Sequence, residues 1–74
     1  MNTPTMADLA ALAGQQVKLT YRNGKAKTMR LAHVGAFVAC ATGPRGGAEV
    51  LVENRASGRI IGNKGGPLVA LEAV

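Results

Sequence analysis

The sequence predicts a small α+β, mostly-β domain: a short N-terminal helix followed by about five antiparallel strands in a small barrel or strongly curved sheet. Three observations lead there. A capping pattern opens a stretch of helical period near the N-terminus. The apolar period then switches to two from Gln16 onward, and turn signals rich in Gly, Asn and Pro recur at short intervals after that. With 74 residues the chain makes one domain, 1–74.

Residues 5–13 read as the helix. Pro4 precedes it, Thr5 caps its first turn, and Asp8 three residues on completes a capping box. Asp8 also lies near the positive end of the helix dipole. Met6, Leu9, Ala10 and Ala13 share one face with Leu12 beside them, and Gly14 follows as a terminator. A helix this short is unstable alone, so it must dock, most simply on the sheet that follows.

In the first strand Val17, Leu19 and Tyr21 alternate with Lys18, Thr20 and Arg22, and Asn23-Gly24 signals a hairpin. The second strand spans 25–34. A two-residue turn would pair Val17 with Arg30 and mix charge into the apolar face. A three-residue loop, 22–24 with a left-handed Gly24, pairs Val17 with Met29 instead. Val17, Leu19, Met29 and Leu31 then share one face, and Lys18, Thr20, Thr28 and Arg30 the other. A one-residue slip would flip the strand, so the cleaner segregation is preferred.

Residues 36–42 form the next strand, with Phe37 as the bulky inward candidate and Val38 and Cys40 on the opposite side. An open loop follows over 42–48. Residues 49–54 place Val50 and Val52 on one side and Glu49, Leu51 and Glu53 on the other, with both glutamates expected to face solvent. A turn at Ala56-Ser57-Gly58 leads to a short apolar segment at 59–62, and a second glycine loop covers 63–67. Residues 68–74 suit either a strand or a short helix. A closing strand is preferred because it protects the edges of a small barrel.

Composition bounds both core and function. Hydrophobic residues make up 47% of the chain, but 13 of them are alanine, and Tyr21 and Phe37 are the only aromatics. So thin a core in so short a chain points to a partner, an oligomer or very regular packing. Cys40 is the one cysteine, which excludes a disulfide framework and a thiolate metal cluster. The longest apolar run is far too short for a membrane span, and no signal peptide is visible, so the expected location is cytoplasmic. The net charge is +5. No acidic residue lies between Asp8 and Glu49, whereas Lys18, Arg22, Lys25, Lys27, Arg30 and Arg45 all do. Such a stretch suits nucleic acid or an acidic protein surface, or serves as a solvated face.

Catalytic chemistry finds little support. His33 falls on the Met29 and Leu31 face and reads as structural. Cys40 reads as a small buried hydrophobe. A His33–Cys40 dyad has no orienting acid at a recognisable spacing, and one His, one Cys and few carboxylates make no four-ligand metal site. The loops at 43–47 and 63–66 each join a cation to glycines whose N–H groups can meet a phosphate, but neither matches a P-loop. Lys18, Arg22, Lys25, Lys27 and Arg30 gather on the first hairpin, where Tyr21 is the one nearby aromatic. The expected contact is therefore with phosphates or acidic side chains, without base readout.

Leu9, Leu12, Gly14, Val17, Leu19, Asn23, Gly24 and Leu31 follow one another as in the first motif of the Sm and Sm-like family, which the chain resembles. Ile60-Ile61-Gly62-Asn63 is similar to that family's second motif, Ile-Arg-Gly-Asn. The resemblance implies a small barrel and, in that family, ring assembly. The family's nucleotide pocket uses an Asp, an Asn and an Arg; those positions hold Gly35, Ala39 and Ile61, so no pocket residue carries over. In size, layout and lack of a catalytic set the chain also resembles small basic bacteriophage regulators that bind host RNA polymerase.

Together these features predict a non-enzymatic transcription regulator, without cofactor or metal, that binds RNA polymerase or another acidic protein surface. It would sit beside nascent RNA and act by inhibiting initiation or by antitermination, in the bacterial host cell if phage-encoded. Lys18, Arg22, Lys25, Lys27 and Arg30 supply the electrostatic contacts, and Met6 and Leu9 of the helix the apolar surface. The alternative is an Sm-like RNA-binding protein or RNA chaperone that contacts phosphates and oligomerises. A small enzyme or toxin using His33 and Cys40 is the third class.

Overall fold

A computed structural model describes residues 3–62 and 66–74. Helix α1 (Met6–Ala11) leads into six strands: β1 (Gln16–Tyr21), β2 (Ala26–Val34), β3 (Val38–Thr42), β4 (Ala48–Glu53), β5 (Ile60–Gly62) and β6 (Gly66–Ala73). Consecutive strands pair antiparallel, and β6 returns to pair with β1, closing a barrel in simple meander order. The expected count of about five becomes six because the short apolar segment at Ile60 pairs with β4 and β6.

The helix forms as its cap residues dictate. The Asp8 N–H donates to Thr5 Oγ1 at 3.2 Å, and the Thr5 N–H donates to Asp8 Oδ2 at 2.9 Å. Two donors that the first turn leaves without intrahelical partners are thereby satisfied. Leu12 is the C-cap. Two residues later Gly14 turns the chain with φ +82°, and its N–H donates to the Leu31 carbonyl at 2.7 Å. The Leu31 N–H donates in turn to the Gln15 carbonyl at 3.0 Å, so the helix exit is fastened to β2. Met6 and Leu9 turn inward and are buried with the barrel core, while Ala10 and Ala13 remain exposed.

The first hairpin has the expected three-residue loop. Val17 pairs with Met29 and Leu19 with Lys27, Gly24 takes φ +88°, and the Tyr21 N–H donates to the Lys25 carbonyl at 2.8 Å. Along β2 the alternation breaks. A register shift between Leu31 and His33 leaves Ala32 and His33 both exposed. His33 therefore leaves the face of Met29 and Leu31 on which period two placed it, because a bulge adds one residue on one side of the ladder.

On β3 the inward residues are Ala39 and Ala41, while Val38 and Cys40 face out. Phe37, the expected inward residue, precedes the strand and is exposed, with the Arg55 guanidinium 4.8 Å from its ring centre. Small residues at 39 and 41 leave that part of the narrow interior to larger side chains from other strands. Cys40 is likewise exposed rather than buried. On β4 the faces separate as expected, but Glu49 points inward with Leu51, and Val50 and Val52 meet solvent.

The core comprises Val17, Leu19, Tyr21, Met29, Leu31, Ala39, Ala41, Leu51, Ile60 and Leu68 from the wall, with Met6 and Leu9 from the helix. The C-terminal segment is a strand, not a helix. Its pairing with β1 from Val17–Ala73 to Tyr21–Leu68 closes the barrel, and that long-range ladder outweighs the local helix preference of Leu71, Glu72 and Ala73. Of the second glycine loop, 63–65 lie outside the described residues.

Candidate functional site

A meander sends alternate connections to opposite ends. The loops at 22–25 and 43–47 share one end with the last residue of β5 and the first of β6. The helix, which leads into β1 and packs on β2 and β3, belongs to the other. Just inside the loop end, Tyr21 and Glu49 are each 1% exposed. The Tyr21 hydroxyl donates to Glu49 Oε2 at 2.5 Å, and Lys27 Nζ lies 3.4 Å from the same oxygen and 5.7 Å from the Tyr21 ring centre. Burial, then the hydrogen bond to Glu49 and its negative charge, push the Tyr21 phenol well above the ordinary tyrosine range, so it stays protonated and donates.

Gly62 lets this cluster pack. A Cβ there would fall 2.8 Å from Tyr21 Cε1 and 2.9 Å from Glu49 Oε2. Neither Tyr21 nor Glu49 is open to a ligand, so the cluster closes the barrel rather than acting on a substrate. The expectation that Glu49 faces solvent is overturned, and a partner was needed once it turned inward. The signal was present in the period: Glu49 shares a strand face with Leu51, and Lys27 with Met29 and Leu31. Two opposite charges at inward positions of a small barrel have reason to meet.

Above this plug is a rim of cations. Arg22 and Lys25 are exposed on the first hairpin, whose turn is shaped by the Lys25 N–H donating to Asn23 Oδ1 at 3.0 Å. Arg45 is exposed on the tight loop in which the Gly43 N–H donates to the Gly47 carbonyl at 2.6 Å. Lys27 is half-buried and faces Glu49. The remaining carboxylates, on Asp8, Glu53 and Glu72, belong to α1, the end of β4 and the end of β6, all toward the helix end. Among the described residues, the loop end thus carries exposed positive charge without an exposed carboxylate.

The structure divides the cations expected to act as one patch. Arg22, Lys25 and Lys27 sit at the loop end, joined by Arg45. Lys18 lies lower on the wall, in register with Glu72, which opposes its field. Arg30 also lies lower, and its Nη1 donates to the Gly14 carbonyl at 2.8 Å. Met6 and Leu9 cannot serve as an apolar docking surface here, because the barrel core already buries both. Apolar surface appears instead on the outside of β3 and β4.

His33 and Cys40 are cross-strand partners on the outer face of β2 and β3, both exposed. Among the described residues, no group of three or more His, Cys, Asp or Glu is arranged to hold a metal ion. No helix among them is long and apolar enough to cross a membrane. A surface groove runs between α1 and β6 and includes Leu12, Leu71, Asp8 and Glu72, but the Asp8 carboxylate is already engaged in the helix cap. No family model, curated protein or solved structure matches the chain.

Proposed function

We propose that this protein is a non-enzymatic binding module whose loop end docks on an acidic protein surface. The observation that carries this reading is the one-sided placement of the carboxylates: among the described residues, Arg22, Lys25, Lys27 and Arg45 share one end with no exposed carboxylate, while Asp8, Glu53 and Glu72 lie toward the other, where Arg55 and Arg59 accompany them. Such a pole steers an acidic partner and orients it on arrival. A protein partner is favoured over nucleic acid because the loop end offers no exposed ring for a base to stack on; Tyr21 is buried and its hydroxyl bonded to Glu49. The likeness to small bacteriophage regulators makes RNA polymerase the first partner to test, with inhibition of initiation or antitermination as the consequence.

Affinity capture of the tagged chain from bacterial cells, at low salt and after nuclease treatment, tests the proposal. RNA polymerase is expected in the captured fraction and is expected to be lost as salt rises. The triple variant Arg22→Glu, Lys25→Glu, Arg45→Glu should abolish capture, while Lys18→Glu should weaken it little. Failure to capture polymerase at low salt would sink the proposal. The second reading, an RNA-binding protein of Sm-like type, draws on the exposed Arg45 between glycines in the 43–47 loop, where backbone N–H groups can meet phosphate. It requires capture that nuclease removes and a shift of single-stranded RNA by the purified chain.

A further inference from the structure

We propose that Lys27 is the anchor of the acidic partner and that the buried Glu49 is its positioning residue, an assignment that rests on the loop end being the docking surface. A carboxylate of the partner would complete a row of alternating charge: Glu49 carboxylate, Lys27 ammonium, partner carboxylate. Lys27 lies on β2 near the barrel mouth, in register with the buried Leu19. Its Nζ is 3.4 Å from Glu49 Oε2 and 5.7 Å from the Tyr21 ring centre. The ammonium is thus held by a charge and by an aromatic ring. Yet the Lys27 side chain is 37% exposed where that of Glu49 is 2% exposed, so the pair is shielded on one side only. An ammonium has three donors. The contact with Glu49 uses one, and the others can meet a group that arrives from solvent.

The other cations of the rim differ from it. Arg22, Lys25 and Arg45 are exposed and form no ion pair among the described residues. A long side chain that is free before docking loses rotamer freedom on docking. Lys27 is already held in place, so its contact with a carboxylate carries less of that cost. Pre-set, part-shielded groups of this kind dominate interfaces, whereas exposed charges around them add little each. Salt also screens a half-buried charge less than an exposed one. Glu49 acts in two opposing ways: its charge repels an acidic partner, and its hold keeps Lys27 at the mouth. With the ammonium between them, a partner carboxylate would lie roughly 3 Å from Lys27 and roughly 6 Å from Glu49 Oε2, so attraction exceeds repulsion about twofold at equal screening. The Tyr21 hydroxyl, 2.5 Å from the same Glu49 oxygen, draws on that charge as well. The repulsion is thus the lesser effect, and the hold on Lys27 the greater.

Binding of a fluorescein-labelled hexaglutamate peptide to the full chain, read by anisotropy at low salt, tests this. Lys27→Gln removes the charge, but its amide still donates to Glu49, so circular dichroism should show the parent fold. It should weaken binding about tenfold or more. Arg22→Gln, Lys25→Gln and Arg45→Gln should each weaken it only about two- to fivefold, as single exposed cations do. Glu49→Gln gives a result of opposite sign under the two accounts. If charge alone mattered, loss of a carboxylate would tighten an acidic ligand; the expected result is weaker binding, by about two- to fivefold. Tyr21→Phe disturbs the plug but leaves Lys27 both its carboxylate and its ring, and it should bind as the parent does. A parent chain that does not bind the peptide overturns the docking surface and this assignment with it. A parent that binds overturns the assignment alone if Lys27→Gln is no weaker than Lys25→Gln, or if Glu49→Gln binds as tightly as the parent or more so.

Discussion

At one end of the barrel, Met6 and Leu9 of a six-residue helix fill the opening; at the other, Tyr21, Glu49 and Lys27 do. The helix end is closed by apolar side chains on a segment whose start is set by its own neighbours in sequence, through the Thr5–Asp8 box. The loop end is closed by a polar cluster whose members lie on β1, β2 and β4 and meet only once the barrel exists. The difference teaches that a thin core can be completed by area at one end and by hydrogen bonding at the other, with unlike sensitivities. Apolar closure depends on volume. Polar closure depends on every partner being present, because a lone carboxylate in that place would be costly.

Substitutions at the two ends should separate these behaviours. The largest effect is expected from Leu9→Ala, which empties a fully buried position at the helix end and should cost about 2–5 kcal/mol. Chemical denaturation will read this loss, and a change well under 1 kcal/mol would show that the helix is not part of the cooperative unit. Next comes Gly62→Ala at the loop end. Its Cβ would press on the Tyr21 ring and the Glu49 carboxylate, with an expected loss of about 1–3 kcal/mol. Placing Tyr21→Phe in the same chain removes the hydroxyl contact but leaves the ring contact, so the combined loss should fall short of the sum of the two single losses.

Tyr21→Phe alone should cost about 1–2 kcal/mol, since Glu49 loses its donor but keeps Lys27. It also predicts a pH signature. The folded state holds the Tyr21 proton more tightly than the unfolded chain, so this contribution to stability is fully present below the ordinary tyrosine pKa of about 10 and is lost as pH rises above it. Comparing unfolding free energies of parent and variant from neutral to alkaline pH should show the parent's advantage shrinking; an advantage that grows would reverse the assignment. The smallest effect should come from Thr5→Ala, which removes the side-chain acceptor of the capping box and costs about 1 kcal/mol, visible as a lower melting midpoint.

Local features of the fold could be read directly. The capping box, the Asn23-Gly24 loop with its left-handed glycine and the Val17–Met29 register all follow from neighbours a few residues apart. The single helix and the closing strand at 68–74 were also legible, the latter only by arguing that a barrel protects its edges. The site was less legible. Arg22, Lys25 and Lys27 could be grouped because one hairpin carries them. Arg45 joined them only when β3 and β4 returned their loop to the same end. Lys18 and Arg30 looked equivalent to them along the chain, yet the register gives Lys18 a facing Glu72 and the helix exit gives Arg30 the Gly14 carbonyl.

What the amino-acid order determined by itself is the set of elements, their turns and the alternation along most strands, because these depend on backbone sterics and on contacts within a hairpin. Alternation separates two faces but does not say which is inside. On β4 the valines face out and Glu49 faces in, and on β3 the two alanines take the interior. Only the tertiary structure decided this, since a closed barrel has limited room and must match each strand to those across it. The bulge at Leu31–His33 and the pairing of β6 with β1 belong to the same category. So does the meeting of Tyr21 with Glu49, 28 residues apart: a hydrogen bond over that separation exists only after closure has brought the strands together.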